Sequence, residues 1–241
     1  ELEVEVSMNS IRVSQIGVGY WGPNLLRNFV SSPSFSVKAV ADKSQERRNL
    51  VAKLYPSIEL HGDADKLIDD PEVDAVVIST PVATHYELAI RAIQAGKHVL
   101  VEKPMATSVD EVEHIAREAD AKKVIAMVGH TFLFNQAVRF VKGLIENGDL
   151  GEIRYIYSQR LNLGRIRNDV DALWNLAPHD ISIIQYWLDD AEPEAVSRVG
   201  VDYIQEGIDD VVFLRVSYPN KVLAHIHVSW LDPHKGRKIT I

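Results

Sequence analysis

Gly17-Val18-Gly19-Tyr20-Trp21-Gly22 is bracketed by an apolar run, Ile11-Arg12-Val13-Ser14-Gln15-Ile16, and by Pro23, which opens an amphipathic segment. A strand that turns through three spaced glycines straight into a helix has few architectures open to it. The first glycine takes the tight turn, the second admits a close approach to the backbone, and the third lets helix and strand pack without a Cβ between them. Alone the spacing is of low specificity, so the flanking elements carry the argument. The start of the following helix offers unpaired N–H groups and a partial positive charge, which suit a phosphate. Twenty residues beyond Gly22, at the end of the next β-branched run, stands Asp42, placed to accept the hydroxyls of an adenosine ribose. This order of strand, glycine turn, helix, strand and acid is that of a dinucleotide site. The acid favours NAD, because it would repel the 2′-phosphate of NADP. Lys43, Arg47 and Arg48 follow it, and either bind such a phosphate or form the solvated face of the next helix, so NADP stays open.

The surrounding rhythm agrees. From Ile11 to Val128, short β-branched runs alternate with amphipathic segments. Strands are expected at Ile11–Gly17, Val37–Asp42, Ala75–Ser79, His98–Glu102 and Val124–Val128, with a weaker one near Glu59. Helices are expected at Pro23–Val30, Ser44–Leu54, His85–Ala95 and Val109–Ala121. That is an α/β domain, a doubly wound parallel sheet of Rossmann type over residues 8–130. After Phe132 come a helix at Gln136–Glu146, a strand at Ile153–Asn162 and a loop carrying Arg165 and Arg167. A helix starting near Pro178 follows, where proline's fixed φ and missing N–H suit a first helical position. Strands at Ala195–Val201, Val211–Tyr218, Val222–Ser229 and Lys238–Ile241 complete the chain, with Pro219-Asn220 as a hairpin turn. Residues 131–241 are therefore expected to form an α+β domain with a mostly antiparallel, open sheet. It ends inside a strand, so it reads as incomplete, with an exposed edge that invites self-association.

Composition narrows the function. A net charge of −8 argues against a surface built for nucleic acid or anionic membrane. With no cysteine among 241 residues there is neither a disulfide framework nor a thiolate metal site. No apolar run reaches the roughly 18 residues of a membrane span, and no secretory signal opens the chain, so the expected compartment is the cytoplasm. Glu1–Ser7 alternates acidic and apolar residues before Met8, and reads as an added leader or an edge strand. His225 and His227 alternate on one strand face without a convergent carboxylate, and are read as structural, with no metal site expected.

A second constellation lies at the end of the fifth strand, in Gly96-Lys97-His98-Val99-Leu100-Val101-Glu102-Lys103-Pro104. Carboxyl ends of strands in an open sheet face the ligand crevice, so Lys103 should point toward the reactive end of a dinucleotide. With the glycine loop, Ser79-Thr80-Pro81, Thr84-His85, Ala89, Gly148-Asp149-Leu150-Gly151 and His179, these residues make the chain resemble the Gfo/Idh/MocA oxidoreductases. The resemblance covers Ile11 to Ile241. It implies a Rossmann domain and a second α/β domain whose large sheet often makes oligomer contacts, with chemistry on sugars, inositols or nucleotide sugars. By it, Gly17, Gly19, Tyr20, Trp21, Gly22, Asp42, Lys43, Ser79, Thr80, Pro81, His85, Glu102 and Lys103 line the cofactor.

In that family the triplet lysine and a later Asp-x-x-x-His pair surround the carbon that exchanges hydride. Lys103 and His179 match the lysine and the histidine, while the aspartate is replaced by Asn175. An asparagine holds an imidazole by a hydrogen bond but lacks the charge that stabilises an imidazolium. Asp180 is adjacent to His179, yet on a helix it points about 100° away. His130, Arg160 and Arg165 are expected at the substrate, since arginine forks suit the paired oxygens of a phosphate or carboxylate. Trp21-Gly22-Pro23-Asn24 and Leu163-Gly164-Arg165 are similar to members in nucleotide-sugar pathways. The expected partner is a small sugar or nucleotide sugar, with a homo-oligomer formed through the second sheet. A nicotinamide-binding regulator and an NAD-dependent glycosidase share the fold, and the missing aspartate keeps the first of these open.

Overall fold

A computed structural model describes residues 10–241, and the chain divides into two units between Gly129 and His130. Glu1–Ser7 and Met8 lie outside the described residues. In the first unit, β1 (Ile11–Ile16), β2 (Phe35–Ala41), β3 (Glu59–His61), β4 (Ala75–Ile78), β5 (His98–Val101) and β6 (Ala126–Val128) form one sheet in the order β3-β2-β1-β4-β5-β6. Every neighbouring pair is parallel. The helices are α1 (Gly22–Ser31), α2 (Gln45–Leu54), α3 (Asp65–Ile68), α4 (His85–Gln94) and α5 (Val109–Lys122). The strand order reverses at β1 and β4, which is where such a sheet opens a crevice at its carboxyl ends.

The sheet carries a core on each face. Side chains alternate along a strand, so Val40 joins Val18, Leu26, Val51 and Ile58. Its neighbours Ala39 and Ala41 join Val76, Ile78, Ile93, Val101 and Ile115 in the other core. β4 is apolar at every position, Ala75-Val76-Val77-Ile78, as a strand covered on both faces should be. The short α3 was not visible as an apolar period, because four residues hold barely one turn.

The second unit holds α6 (Gln136–Glu146), β7 (Tyr155–Leu163), α7 (Ala172–Trp187), β8 (Ala195–Val201), β9 (Val211–Ser217), β10 (Leu223–Ser229) and β11 (Leu231–Thr240). Its strands lie in the order β11-β7-β10-β9-β8. Only β7 and β10 run parallel within this sheet. Its core packs Ala172, Ala177, Ile183, Ile184 and Trp187 of α7 against Ile156, Val212, Leu214, Ala224, Ile226 and Val228.

Two expectations about this unit are corrected. α7 does not start near Pro178: Asp171 Oδ1 accepts a hydrogen bond from Trp174 N at 2.8 Å and caps the helix earlier, leaving Pro178 inside it. An interior proline costs about 3 kcal/mol, and the apolar face buried along α7 offsets it. β11 also begins earlier than Lys238, running through Asp232-Pro233-His234-Lys235-Gly236. It is the edge strand and its register shifts between Leu231 and Gly236, which accommodates a proline without a ladder N–H. Among the described residues, no helix is long and apolar enough to cross a membrane.

Candidate functional site

The glycine loop of the first unit is held from beneath. Gly17 adopts φ +91°, and its N–H donates to Ala41 O at 2.7 Å. Gln15 Nε2 donates to Gly17 O and to Gly22 O, each at 2.9 Å, and Ser79 Oγ donates to Gly17 O at 2.7 Å. The loop is too tight for a side chain at its first and last glycines: a Cβ on Gly22 would lie 2.6 Å from Gly17 O, and one on Gly17 would lie 2.8 Å from Ser79 O. Gln15 is 1% exposed and was missed from the sequence, although a glutamine in an apolar strand one residue before the turn is the signal. Tyr20 and Trp21 stand exposed on the loop, and α1 carries Pro23 and no acidic residue in its first turn. Asn24 N donates to Trp21 O at 2.9 Å, and the dipole at this end of the helix favours an anion.

Asp42 follows at the end of β2 and is buried. Its Oδ2 accepts from Val18 N at 2.9 Å and its Oδ1 from Ser44 N at 2.8 Å, which ties the acid to the glycine loop. Arg47 Nη1 lies 3.5 Å from Asp42 Oδ2, and 3.5 Å from where a Cβ on Gly19 would sit. Arg48 donates to the Asp42 carbonyl and to Gln45 Oε1, while Lys43 is exposed. The glycine turn, the helix start and the acid fit the pyrophosphate and adenosine ribose of a dinucleotide.

At the carboxyl ends of β4 and β5 stand Ser79-Thr80-Pro81 and Glu102-Lys103-Pro104. The Lys103–Pro104 peptide is cis. His85, expected to touch the cofactor, is instead buried at 1% exposure. Its Nδ1 lies 2.8 Å from Pro104 O and its Nε2 lies 2.9 Å from Thr80 O, so the ring is spent on carbonyls of the two loops. Burial pushes the Glu102 carboxyl above the usual carboxylate range, against the lowering effects of the Lys103 N–H, the Lys103 charge and a hydrogen bond from Trp21. Lys103 N donates to Glu102 Oε2 at 3.2 Å. Gly129 makes room for this carboxylate, because a Cβ there would lie 3.0 Å from Glu102 Oε1. Gly129 was also missed, and a glycine ending a strand is a weak signal.

In the second unit, Asn175 and His179 are four residues apart on α7 and so share a face. The His179 ring packs against Phe132 at 4.9 Å between centroids. His130 is half-buried at the start of this unit. Arg160, expected at a substrate, is 6% exposed and bonded to Asp180, with Nε to Oδ2 at 2.6 Å. Arg165 is exposed on the loop before α7, where Arg167 Nε pairs with Asp169 Oδ1 at 2.8 Å. His225 stacks on Tyr157 and His227 on Phe213. Among the described residues no three His, Asp or Glu side chains come together as a metal site would need.

Comparison with known proteins agrees with this geometry. The model of an oxidoreductase family with an NAD-binding Rossmann fold matches residues 11–130, and the model of the GFO/IDH/MocA C-terminal domain matches residues 138–241. The chain is 31% identical over 170 residues to scyllo-inositol 2-dehydrogenase (NADP(+)) of Bacillus subtilis, covering 68% of this chain and 46% of that one. It is 30% identical over 240 residues to UDP-N-acetylglucosamine 3-dehydrogenase of Acidithiobacillus ferrooxidans, covering 97% and 72%. The crystal structure of an oxidoreductase from Magnetospirillum magnetotacticum superposes with a TM-score of 0.86 at 32% identity, covering 96% and 74%. The chain spans less than two thirds of the length of several curated relatives, including the Bacillus enzyme. Its first unit is an NAD-binding Rossmann domain, and the chain belongs to the Gfo/Idh/MocA oxidoreductase family.

Proposed function

We propose that the chain is an NAD(P)-dependent oxidoreductase acting on a secondary hydroxyl or ketone of a sugar, inositol or nucleotide sugar. The bound dinucleotide supplies the hydride acceptor or donor. The observation that carries this reading is Lys103, set at the carboxyl end of β5 on a loop that His85 braces through Pro104. Lys103 hydrogen-bonds the substrate oxygen, and its charge stabilises an alkoxide as it develops, so it serves the chemical step more than binding. His179 takes the hydroxyl proton in oxidation and returns it in reduction, a role that suits a side chain ordinarily titrating near working pH. Asn175, one helical turn earlier, orients the imidazole without a carboxylate's charge.

NAD is the preferred cofactor, because the buried acid Asp42 closes β2 and draws Arg47 to itself, which disfavours a 2′-phosphate there. His130 and Arg165 contact the substrate. The similarity to UDP-N-acetylglucosamine 3-dehydrogenase, over 97% of this chain and 72% of that one, supports a nucleotide sugar as the substrate class. Val199 and Phe213, paired across β8 and β9, expose apolar surface on the second sheet, which supports self-association there. A cytoplasmic setting fits a chain with no cysteine. The test is an assay with NAD and a panel of sugars, inositols and nucleotide sugars. Net NADH marks a dehydrogenase, sugar release without net NADH marks a glycosidase, and binding without either marks a regulator.

A further inference from the structure

Taking an arginine and an aspartate out of water is unfavourable, and apolar residues of the same volume stabilise a core as well or better. Yet the second unit places Arg160 of β7 and Asp180 of α7 at 6% and 1% exposure. The guanidinium meets the carboxylate as a fork, Nε to Oδ2 at 2.6 Å and Nη2 to Oδ1 at 3.2 Å, and Ser158 Oγ donates to Oδ1 at 2.7 Å. Arg160 Cζ also lies 4.6 Å from the centroid of the Phe132 ring. That same ring lies 4.9 Å from the imidazole of His179, the residue before Asp180, with the planes at 59°.

We infer that Arg160 and Asp180 are positioning residues for His179, acting through Phe132 and through the backbone of α7. A two-pronged arginine–carboxylate fork is directional, so it fixes the rotation of α7 about its axis at residue 180. The helix carries residue 179 with it. Phe132, in the turn Thr131–Phe134, is seated by the guanidinium and gives the imidazole the surface on which it rests. Misplacing a reacting group by about an ångström costs on the order of a hundredfold in rate. Placement of His179 accounts for an ion pair where stability alone would be served by apolar residues. The inference rests on the proposed proton-transfer role of His179.

The test uses the double variant Arg160→Met with Asp180→Leu, which removes both charges together and leaves no unpaired ion, and separately Phe132→Leu, which keeps the pair and removes the ring. Thermal midpoint, NAD dissociation constant, substrate KM and kcat are measured for each, with His179→Ala alongside. The expected result is a kcat tenfold or more below the parent in both, with the midpoint, NAD affinity and KM close to parental. Parental kcat in both variants, with His179→Ala inactive, overturns the positioning role alone. Parental kcat in His179→Ala overturns the reading of His179 and the inference with it. If the double variant does not fold, Phe132→Leu decides in the same way.

Discussion

His85 Nδ1 lies 2.8 Å from the carbonyl oxygen of Pro104, the residue after Lys103, while Nε2 of the same ring reaches Thr80 O at 2.9 Å. One buried imidazole therefore joins the loops at the ends of β4 and β5. His85→Leu fills the space but removes the ring nitrogens from beside two carbonyls, and a buried group left without its partner costs about 1–3 kcal/mol. Urea denaturation should show a loss of that size. Turnover should fall with it, because the loop carrying Lys103 loses its brace.

Gly22→Ala would place a Cβ 2.6 Å from Gly17 O, a backbone atom that cannot swing aside. The expected cost is about 1–3 kcal/mol in stability, as for overpacking elsewhere. Calorimetry should also show NAD binding weakened, because the displaced turn is the one that meets the pyrophosphate.

Much of the first unit was legible in the sequence because its signals are local: a strand running into Gly17, a helix opened by Pro23, and an acid closing the next strand. The limit came where tertiary packing competed with a local rule. Pro178 reads as a helix start, yet Asp171 caps the helix earlier and the buried face of α7 outweighs the proline. Arg160 is expected at a ligand from its residue type, and His85 from the family resemblance. Nothing in their neighbours announces that Asp180, twenty residues on, and the carbonyls of Thr80 and Pro104 take those side chains.

Asp42→Ser removes the charge that opposes a 2′-phosphate and releases Arg47, which lies 3.5 Å from the carboxylate. The ratio of NADP to NAD affinity should rise at least tenfold, measured by fluorescence titration with each cofactor. NAD affinity itself should drop, because Val18 N and Ser44 N lose their acceptor.

Arg12 grips Asp74 with Nε at 3.1 Å and Nη2 at 2.9 Å, and these hydrogen bonds hold the Asp74 carboxyl at about 2, below its ordinary 3.8. A depressed carboxylate stabilises the fold above its unfolded value, and that contribution is lost as pH falls through the folded one. The window is therefore from about pH 4 down to about pH 2. Both side chains are more than a third exposed, so solvent screening keeps the effect small. Arg12→Met should lower the urea midpoint slightly at pH 7 and converge with the parent at the acid end of the window.

Lys103 is proposed to serve hydride exchange with a sugar-like hydroxyl. The most direct measurement follows NADH absorbance when this chain meets NAD and each of a panel of inositols, sugars and UDP-sugars, with Lys103→Met beside it. The expected result is net NADH from at least one member of the panel, and a kcat at least about a hundredfold lower in Lys103→Met with NAD affinity retained. NAD binding with no net NADH from any of them, or Lys103→Met turning over at the parental rate, would contradict it.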